Sequence, residues 1–587
     1  MTSLGPIFAD DLARIKPGDR LRLTISAQTS DAAALAQAAL EARARGERVL
    51  VVCADPADVP RLAQEMPWFE PKLDVRPLPD WETLPYDVLS PQEELVSERL
   101  EALYRLTAPT GGADVLLTSA VTASQRLSPV SYIGANTFFF HQGEQISLTT
   151  LQKRLAAAGY ANVKQVLAAG EFAVRGSIVD VFPMGSERPF RLDFFDDEIE
   201  SIRWFDVDTQ RSMESAEEIR LLPGHEFPVD PEALLAFRQR WRREFAGDPK
   251  KSIVYCDIEK EILPPGIEYY LPLFFDETAA LTDYLPPNAR VFLLGDIEAA
   301  LQAFGRDMAS HYKVLAADPQ RPALAPERIW LKPEEFFKSL ANFARFTVEE
   351  KENAEDLKRL TGIEVDRKSQ NPVGKLLERT RESAMKGVRT LIAAPSAGRM
   401  ETMSQLLRTG GLSVEEFPDW QTFLDADSAL GIAAAPLFSG AVFHHPEIVI
   451  LSEAELYAAS PRRHRLRRVK HATTLEMMVR DVAELKPGDA VVHADHGIGR
   501  YQGLVHMETP DGDAEFLEIT YTNDAKLFVP ITNLQLISRY AGADPEHAPL
   551  HQLGRGDWEK AKRKAAQEVR DTAAELLNLY AIRRTRE

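Results

Sequence analysis

From about residue 487 to 540, short β-type runs alternate with tight-turn chemistry, and no other part of the chain restricts its fold so narrowly. The runs 490–493, 501–507, 516–521 and 526–529 are separated by Pro487-Gly488-Asp489, Gly497 with Gly499, Pro510-Asp511-Gly512 and Thr522-Asn523-Asp524. Within the third run Leu517, Ile519 and Tyr521 fall on one face and Glu518 and Thr520 on the other, so one side is buried and one is wet. Strands this short joined by such turns predict a small, strongly bent all-β barrel. A barrel of that size has no room for a catalytic pocket; what it offers a partner is an edge strand.

The whole chain has 587 residues, too many for one core, and roughly three to five domains are expected. With 44% hydrophobic and 27% charged residues it reads as ordinary soluble protein. No run reaches the ~18 apolar residues of a spanning helix, and the first residues lack a signal-peptide core. Cys53 and Cys256 are the only cysteines, so neither a disulfide framework nor a cysteine metal site is expected, and a cytoplasmic location is. A net charge of −20 argues against a surface that grips nucleic acid throughout. Residues 462–470 (RRHRLRRVK) are a local exception, readable as a solvated linker or as a contact to nucleic acid or an acidic partner.

The N-terminal segment has a β-α-β rhythm. An apolar run at 21–25, an alanine-rich helical stretch at 31–44 and the buried-type strands 48–54 and 113–118 predict a doubly wound parallel sheet. A nucleotide-binding loop after the first strand would read GxxxxGK[ST]. Here it is Ser26, Ala27, Gln28, Thr29 and Ser30, followed by Asp31, with no glycine, no lysine and a carboxylate where a phosphate would sit. The later strand 291–294 leads into Gly295-Asp296-Ile297-Glu298, without the adjacent acidic pair that holds magnesium. Two independent motifs fail together, and no ATP binding by this segment is expected.

Between the halves of that sheet, 170–183 and 188–200 read as consecutive strands of an inserted α/β module. In the stretch 190–195 alternation puts Phe190, Leu192 and Phe194 on the buried side and Arg191, Asp193 and Phe195 on the other, leaving an aromatic on a polar face. Arg175 can lie beside it if the two strands pair. Arg191 has Asp193 and Glu198 as local ion-pair candidates. A further α/β unit spans about 365–459, with strands 389–394 and 447–452 and a helix at 398–409, and reads as a spacer. His444-His445 and His493 with His496 lack a third ligand at fitting spacing, so no metal site is expected. Beyond the barrel, Asp557 can cap a helix whose apolar positions run from Trp558 to Tyr580.

Three sets of residues carry a family resemblance. The stretches VVHADHGIGRYQGL and TYTNDAKLFVP resemble the Tudor-like RNA-polymerase-interacting domain shared by CarD transcription factors and the transcription-repair coupling factors (Mfd). Asp80 to Asp87 (DWETLPYD), Pro264 to Tyr270 (PPGIEYY) and the inserted strands resemble the UvrB excision-repair helicase family, in the degenerate form found in the N-terminal, non-motor half of the coupling factors. Domain order favours the coupling factors over CarD, which lacks the first half. The alternatives are a free-standing ATP-dependent helicase with atypical motifs or a CarD-like regulator.

The resemblance implies a degenerate RecA-like domain in two parts, 1–136 and 218–350, around a UvrA-binding-like insert at 137–217. An α/β spacer (351–459), a basic linker (460–484), the barrel (485–553) and a connecting helix (554–587) follow. It implies UvrA contacts by Arg175, Arg191 and Phe195, and RNA polymerase β-subunit contacts by Met507 with its neighbours Val505 and His506. Upstream double-stranded DNA, ATP and magnesium would be engaged mainly by motor domains outside this sequence. No catalytic residue, no metal and no membrane partner is implied for this chain.

Overall fold

The computed structural model describes residues 14–457 and 488–550 except 26–27, 84, 87–88, 109–111, 208, 317, 351–352, 366–370, 458–487, 494–496, 510–511, 523–524, 531–536 and 540–549. The expected basic linker and the C-terminal helix after Asp557 lie outside the described residues. The chain is a mixed α/β multidomain protein that divides into two units, 1–463 and 464–587.

The first unit begins with β1 (Arg20–Ile25), β2 (Val49–Cys53), β3 (Val75–Pro77) and β4 (Val115–Ser119). An insert follows, with β5 (Phe138–His141), β6 (Ala161–Asn162), β7 (Glu171–Arg175), β8 (Ile178–Val181), β9 (Phe190–Phe195), β10 (Glu198–Phe205), β11 (Ser212–Ala216) and β12 (Glu218–Leu221). The chain then returns through β13 (Arg290–Leu294) and β14 (Ala344–Glu350) to complete a parallel sheet of order β1-β14-β13-β2-β4-β3. Every residue of β2, β4 and β13 is buried, as expected of parallel strands covered on both faces.

The insert sheet has the order β11-β10-β9-β8-β7-β6, and β5 pairs with β12 as a separate ribbon. That ribbon takes the insert to Leu221, past the expected end at 217, because 138–141 pair with 218–221. One face of the insert sheet packs into a core shared with the first sheet, through residues such as Phe172, Leu192 and Ile202 with Leu116 and Val291. Where the chain leaves the insert, Glu226 accepts from Arg99 at 2.6 and 3.1 Å and from the indole of Trp81 at 3.1 Å, tying the insert to the DWETLPYD stretch.

A second α/β domain holds β15 (Arg389–Ala394), β16 (Glu415–Phe417), β17 (Leu430–Ala434), β18 (Ala441–His444) and β19 (Glu447–Ser452), in the order β16-β17-β15-β19-β18 with only β18 antiparallel. Its core is continuous with one face of the first sheet, and the helix Gln28–Ala44 lies in that shared core. This is why Ala32, Ala33, Ala36 and Ala39 are all buried: a helix packed on every side has no polar face to spare, and alanine permits close approach. Trp68, Phe69, Trp420 and Phe443 interleave across the junction.

Two hydrogen bonds also cross it: Trp68 Nε1 to the Ala434 carbonyl, 3.2 Å, and the Phe438 N–H to Glu65, 3.0 Å. Burial pushes the Glu65 carboxyl from the ordinary 4.5 up to about 7, against the pull of Arg61. Between those two values the native state holds a proton that the unfolded chain has released, so stability falls as pH rises through the window and levels off above it. At 1.36 kcal/mol per unit the fall is on the order of 3 kcal/mol. Glu65→Gln is therefore expected to become more stable relative to wild type as pH goes from 5 to 8 in urea melts; a constant difference would contradict it.

The second unit is an antiparallel sheet of β20 (Ala490–His493), β21 (Gly497–Thr509), β22 (Gly512–Thr520), β23 (Lys526–Pro530) and β24 (Ile537–Arg539), ordered β23-β22-β21-β20-β24. Leu517, Ile519 and Tyr521 form its core with Val491, Tyr501 and Val529. Gly497 and Gly499, expected in a turn, lie inside β21 opposite His493 and Val491. Gly499 is needed for packing, since a Cβ there would stand 2.5 Å from the Ile519 side chain.

Candidate partner-binding surfaces

Ser26 and Ala27 of the expected nucleotide loop lie outside the described residues, while Gln28, Thr29 and Ser30 open the helix Gln28–Ala44. Asp31, in its first turn, is 3% exposed, and both its oxygens are taken by Arg61, at 2.8 and 2.6 Å. Instead of repelling an external phosphate, as expected, Asp31 is itself the anion at the positive end of this helix. Arg61 also pairs with Asp58 and Glu65. Asp296 accepts from the Ala299 N–H at 2.9 Å and caps the helix Ile297–Leu315.

On the insert sheet the alternation of β9 places Phe190, Leu192 and Phe194 in the core and leaves Phe195 67% exposed, beside the β9–β10 turn where Asp196 has a φ of 52°. Arg175 is not on the strand next to β9, as expected. β8 lies between, with Arg175 opposite Ile178 and Ile178 opposite Asp193. Arg175 and Phe195 still share one face and one end of the sheet, with Ile178 between them. Arg175 is exposed and donates to the Lys164 carbonyl at 2.8 Å.

Arg191 differs from both. Its partner is neither Asp193 nor Glu198 but Asp180, directly across on β8, bound through two hydrogen bonds of 2.6 and 2.9 Å. The hydrogen bonds to Asp180 push the guanidinium pKa further up. The side chain is 16% exposed, lies 4.9 Å from the Phe205 ring centroid, and reaches the Gln210 carbonyl at 3.2 Å.

In the second unit β20 pairs with β21 only as far as Arg500, so from Gly503 to Thr509 β21 has β22 on one side and, among the described residues, no strand on the other. The register shifts between Tyr501 and Gly503, whose φ is 137°, and re-aims the protruding hairpin. Val505 stands opposite Phe516, His506 opposite Glu515 and Met507 opposite Ala514 on that hairpin. The side chains of His506 and Met507 lie outside the description. Sequence reasoning missed Leu504, 51% exposed at the base of the free edge, and Phe528, 38% exposed on β23; both sit in apolar runs that read as core.

Among the described residues no group of three His, Cys, Asp or Glu side chains is placed to hold a metal ion. His444 instead pairs with the buried Asp356 at 3.3 Å. His493 is buried in β20, and His496 lies outside the described residues. No described helix is long and apolar enough to cross a membrane.

Three family models match the chain in succession: the UvrB interaction domain over residues 138–227, the MFD D3 domain over 384–456, and the CarD-like/TRCF RID domain over 485–541. The sequence is 39% identical over 549 residues to the transcription-repair-coupling factor of Escherichia coli, covering 92% of this chain and 47% of that protein. It is 39% identical over 525 residues to the Haemophilus influenzae protein of the same name, covering 88% and 45%, and 25% identical over 533 residues to that of Bacillus subtilis, covering 84% and 43%. The chain thus spans about half the length of the curated relatives it matches.

Proposed function

We propose that this chain, similar along nine-tenths of its length to transcription-repair-coupling factors, is an adaptor of transcription-coupled DNA repair: it binds stalled RNA polymerase and recruits UvrA of nucleotide excision repair. The observation that carries the reading is the presence in one chain of two matched interaction domains, each with an open surface. The UvrB interaction match covers the sheet that exposes Phe195. The CarD-like/TRCF RID match covers the hairpin whose outer edge is unpaired among the described residues.

On this reading the antiparallel unit is a Tudor-like barrel, and the edge 503–509 with Val505, His506 and Met507 adds to a strand of the polymerase β subunit. Such pairing draws affinity from backbone hydrogen bonds and specificity from flanking side chains. Arg175, Arg191 and Phe195 belong to the UvrA surface. The first parallel sheet is a degenerate RecA-like domain whose nucleotide place is closed by the Asp31–Arg61 pair. Double-stranded DNA, ATP and magnesium are handled by motor domains beyond this half.

This chain is accordingly expected to show no ATP hydrolysis and no displacement of stalled polymerase on its own. A phosphate-release assay with polymerase, DNA and magnesium checks it. Turnover that disappears in Asp296→Ala would instead support an atypical helicase.

A further inference from the structure

Among the described residues the buried arginines are Arg61, Arg99, Arg290 and Arg345. A buried guanidinium ordinarily has a carboxylate beside it, because an unpaired charge out of water is costly. Three of these follow that rule. Arg61 has Asp31, Asp58 and Glu65, Arg99 has Glu226, and Arg290 has Glu47 at 2.5 Å. Arg345, 5% exposed, forms no ion pair among the described residues, and its buried Nε–H meets no acceptor.

β1 and β14 are parallel, and Arg345 on β14 stands directly opposite Arg20, the first residue of β1. Both therefore lie on one face of the sheet, and Leu21 and Phe346, which pack in the core shared with the second α/β domain, lie on the other. On its other side Arg345 has Val291 and, beyond it, Leu50, both buried. The row thus runs from an exposed arginine at the sheet edge, through a buried one, into apolar core. Like charges directly opposite each other on a sheet are unfavourable. Burial, and then the charge of Arg20, hold the Arg345 guanidinium below its ordinary pKa. The next row differs: Arg22, opposite Thr347, is engaged by Glu349 at 3.3 Å. Asp19, next to Arg20 in the chain, accepts from the Lys16 N–H at 2.9 Å. The unmatched pair sits where β1 begins, at the opposite end of the strand from the closed nucleotide place that follows Ile25.

We propose that Arg20 and Arg345 form an oxyanion site at this edge, taking a free or terminal phosphate dianion that bridges the two guanidinium groups. Adjacent strands lie roughly 4.8 Å apart, so the two forks can converge on the oxygens of one tetrahedral ion. Two positive charges match a dianion. A nucleic-acid backbone carries one charge per phosphate, and a chain of net charge −20 repels a polyanion. β1 has no strand on its outer side among the described residues, so the ion has access from the edge.

Calorimetric titration of this chain with inorganic phosphate at about pH 8, with thermal melts of each variant alongside, tests it. One saturable site with a Kd of ~1 mM or tighter is expected. Arg20→Gln and Arg345→Met are each expected to weaken it about tenfold or more, while Arg22→Gln binds as wild type does. Without phosphate, Arg345→Met is expected to melt no lower than wild type, since it exchanges an unpaired buried charge for an apolar side chain. Phosphate should raise the melting temperature of the wild type and of Arg22→Gln but not of Arg345→Met. Arg20 is exposed, so Arg20→Gln decides the matter even if Arg345→Met fails to fold. No saturable phosphate binding by the wild type, or wild-type affinity in Arg20→Gln, would overturn the site. Binding of a short DNA duplex that Arg20→Gln abolishes, with no binding of phosphate, would overturn the choice of ligand.

Discussion

Arg99→Ala is expected to destabilise the first unit by ~3–5 kcal/mol, the usual cost of breaking a fully buried ion pair from one side. Arg99 is completely buried, and its guanidinium is satisfied by the Glu226 carboxylate, the Pro79 carbonyl at 2.7 Å and Gln125 at 2.9 Å. It also lies 5.3 Å from the Trp81 ring centroid. Removing it leaves Glu226, 3% exposed, with only the indole donor among these partners. Glu226 follows the insert's last strand, so the loss falls where the insert is fastened to the first domain. The double variant Arg99→Ala, Glu226→Ala should lose less than the two single losses combined, because it carries no orphaned charge. Urea melts measure all three; an Arg99→Ala cost below about 1 kcal/mol would show that the pair is not what holds this junction.

Met507→Arg should abolish capture of the polymerase β subunit while leaving the circular dichroism spectrum nearly unchanged. The register puts residue 507 in the stretch of β21 that has a partner strand on one side only among the described residues. Charged side chains are what natural edge strands use to prevent further pairing. An arginine within this seven-residue edge, unpaired on one side among the described residues, adds an unmatched charge to the interface. A spectrum that collapses, or a variant that still captures the β subunit, would show that the polymerase surface has been placed wrongly.

What the sequence revealed and what it hid divides along physical lines. The faces of β9 and β22 were readable because side-chain alternation is a local property with a period of two. Asp31 and the alanine-rich stretch were readable as a helix start and a helix. Their surroundings were not, since Arg61 lies thirty positions away and the second α/β domain that shares the core lies several hundred away. Arg191 shows the same limit on the candidate site. Its ion-pair partner depends on how β8 registers against β9, and a reading confined to neighbours along one strand selects Asp193 or Glu198 over Asp180. Gly497 and Gly499 carried a turn signal, but glycine inside a strand also marks close packing, and here β22 and Tyr521 occupy that space.

The measurement that bears most directly on the adaptor reading is a bridging assay. Immobilised RNA polymerase is incubated with UvrA in the presence and absence of this chain, and retained UvrA is quantified. UvrA is expected to be retained only when the chain is present, Phe195→Ala to remove UvrA while the chain stays on polymerase, and Met507→Arg to remove both. Retention of UvrA without the chain, or chain-dependent retention untouched by either substitution, would contradict the adaptor reading.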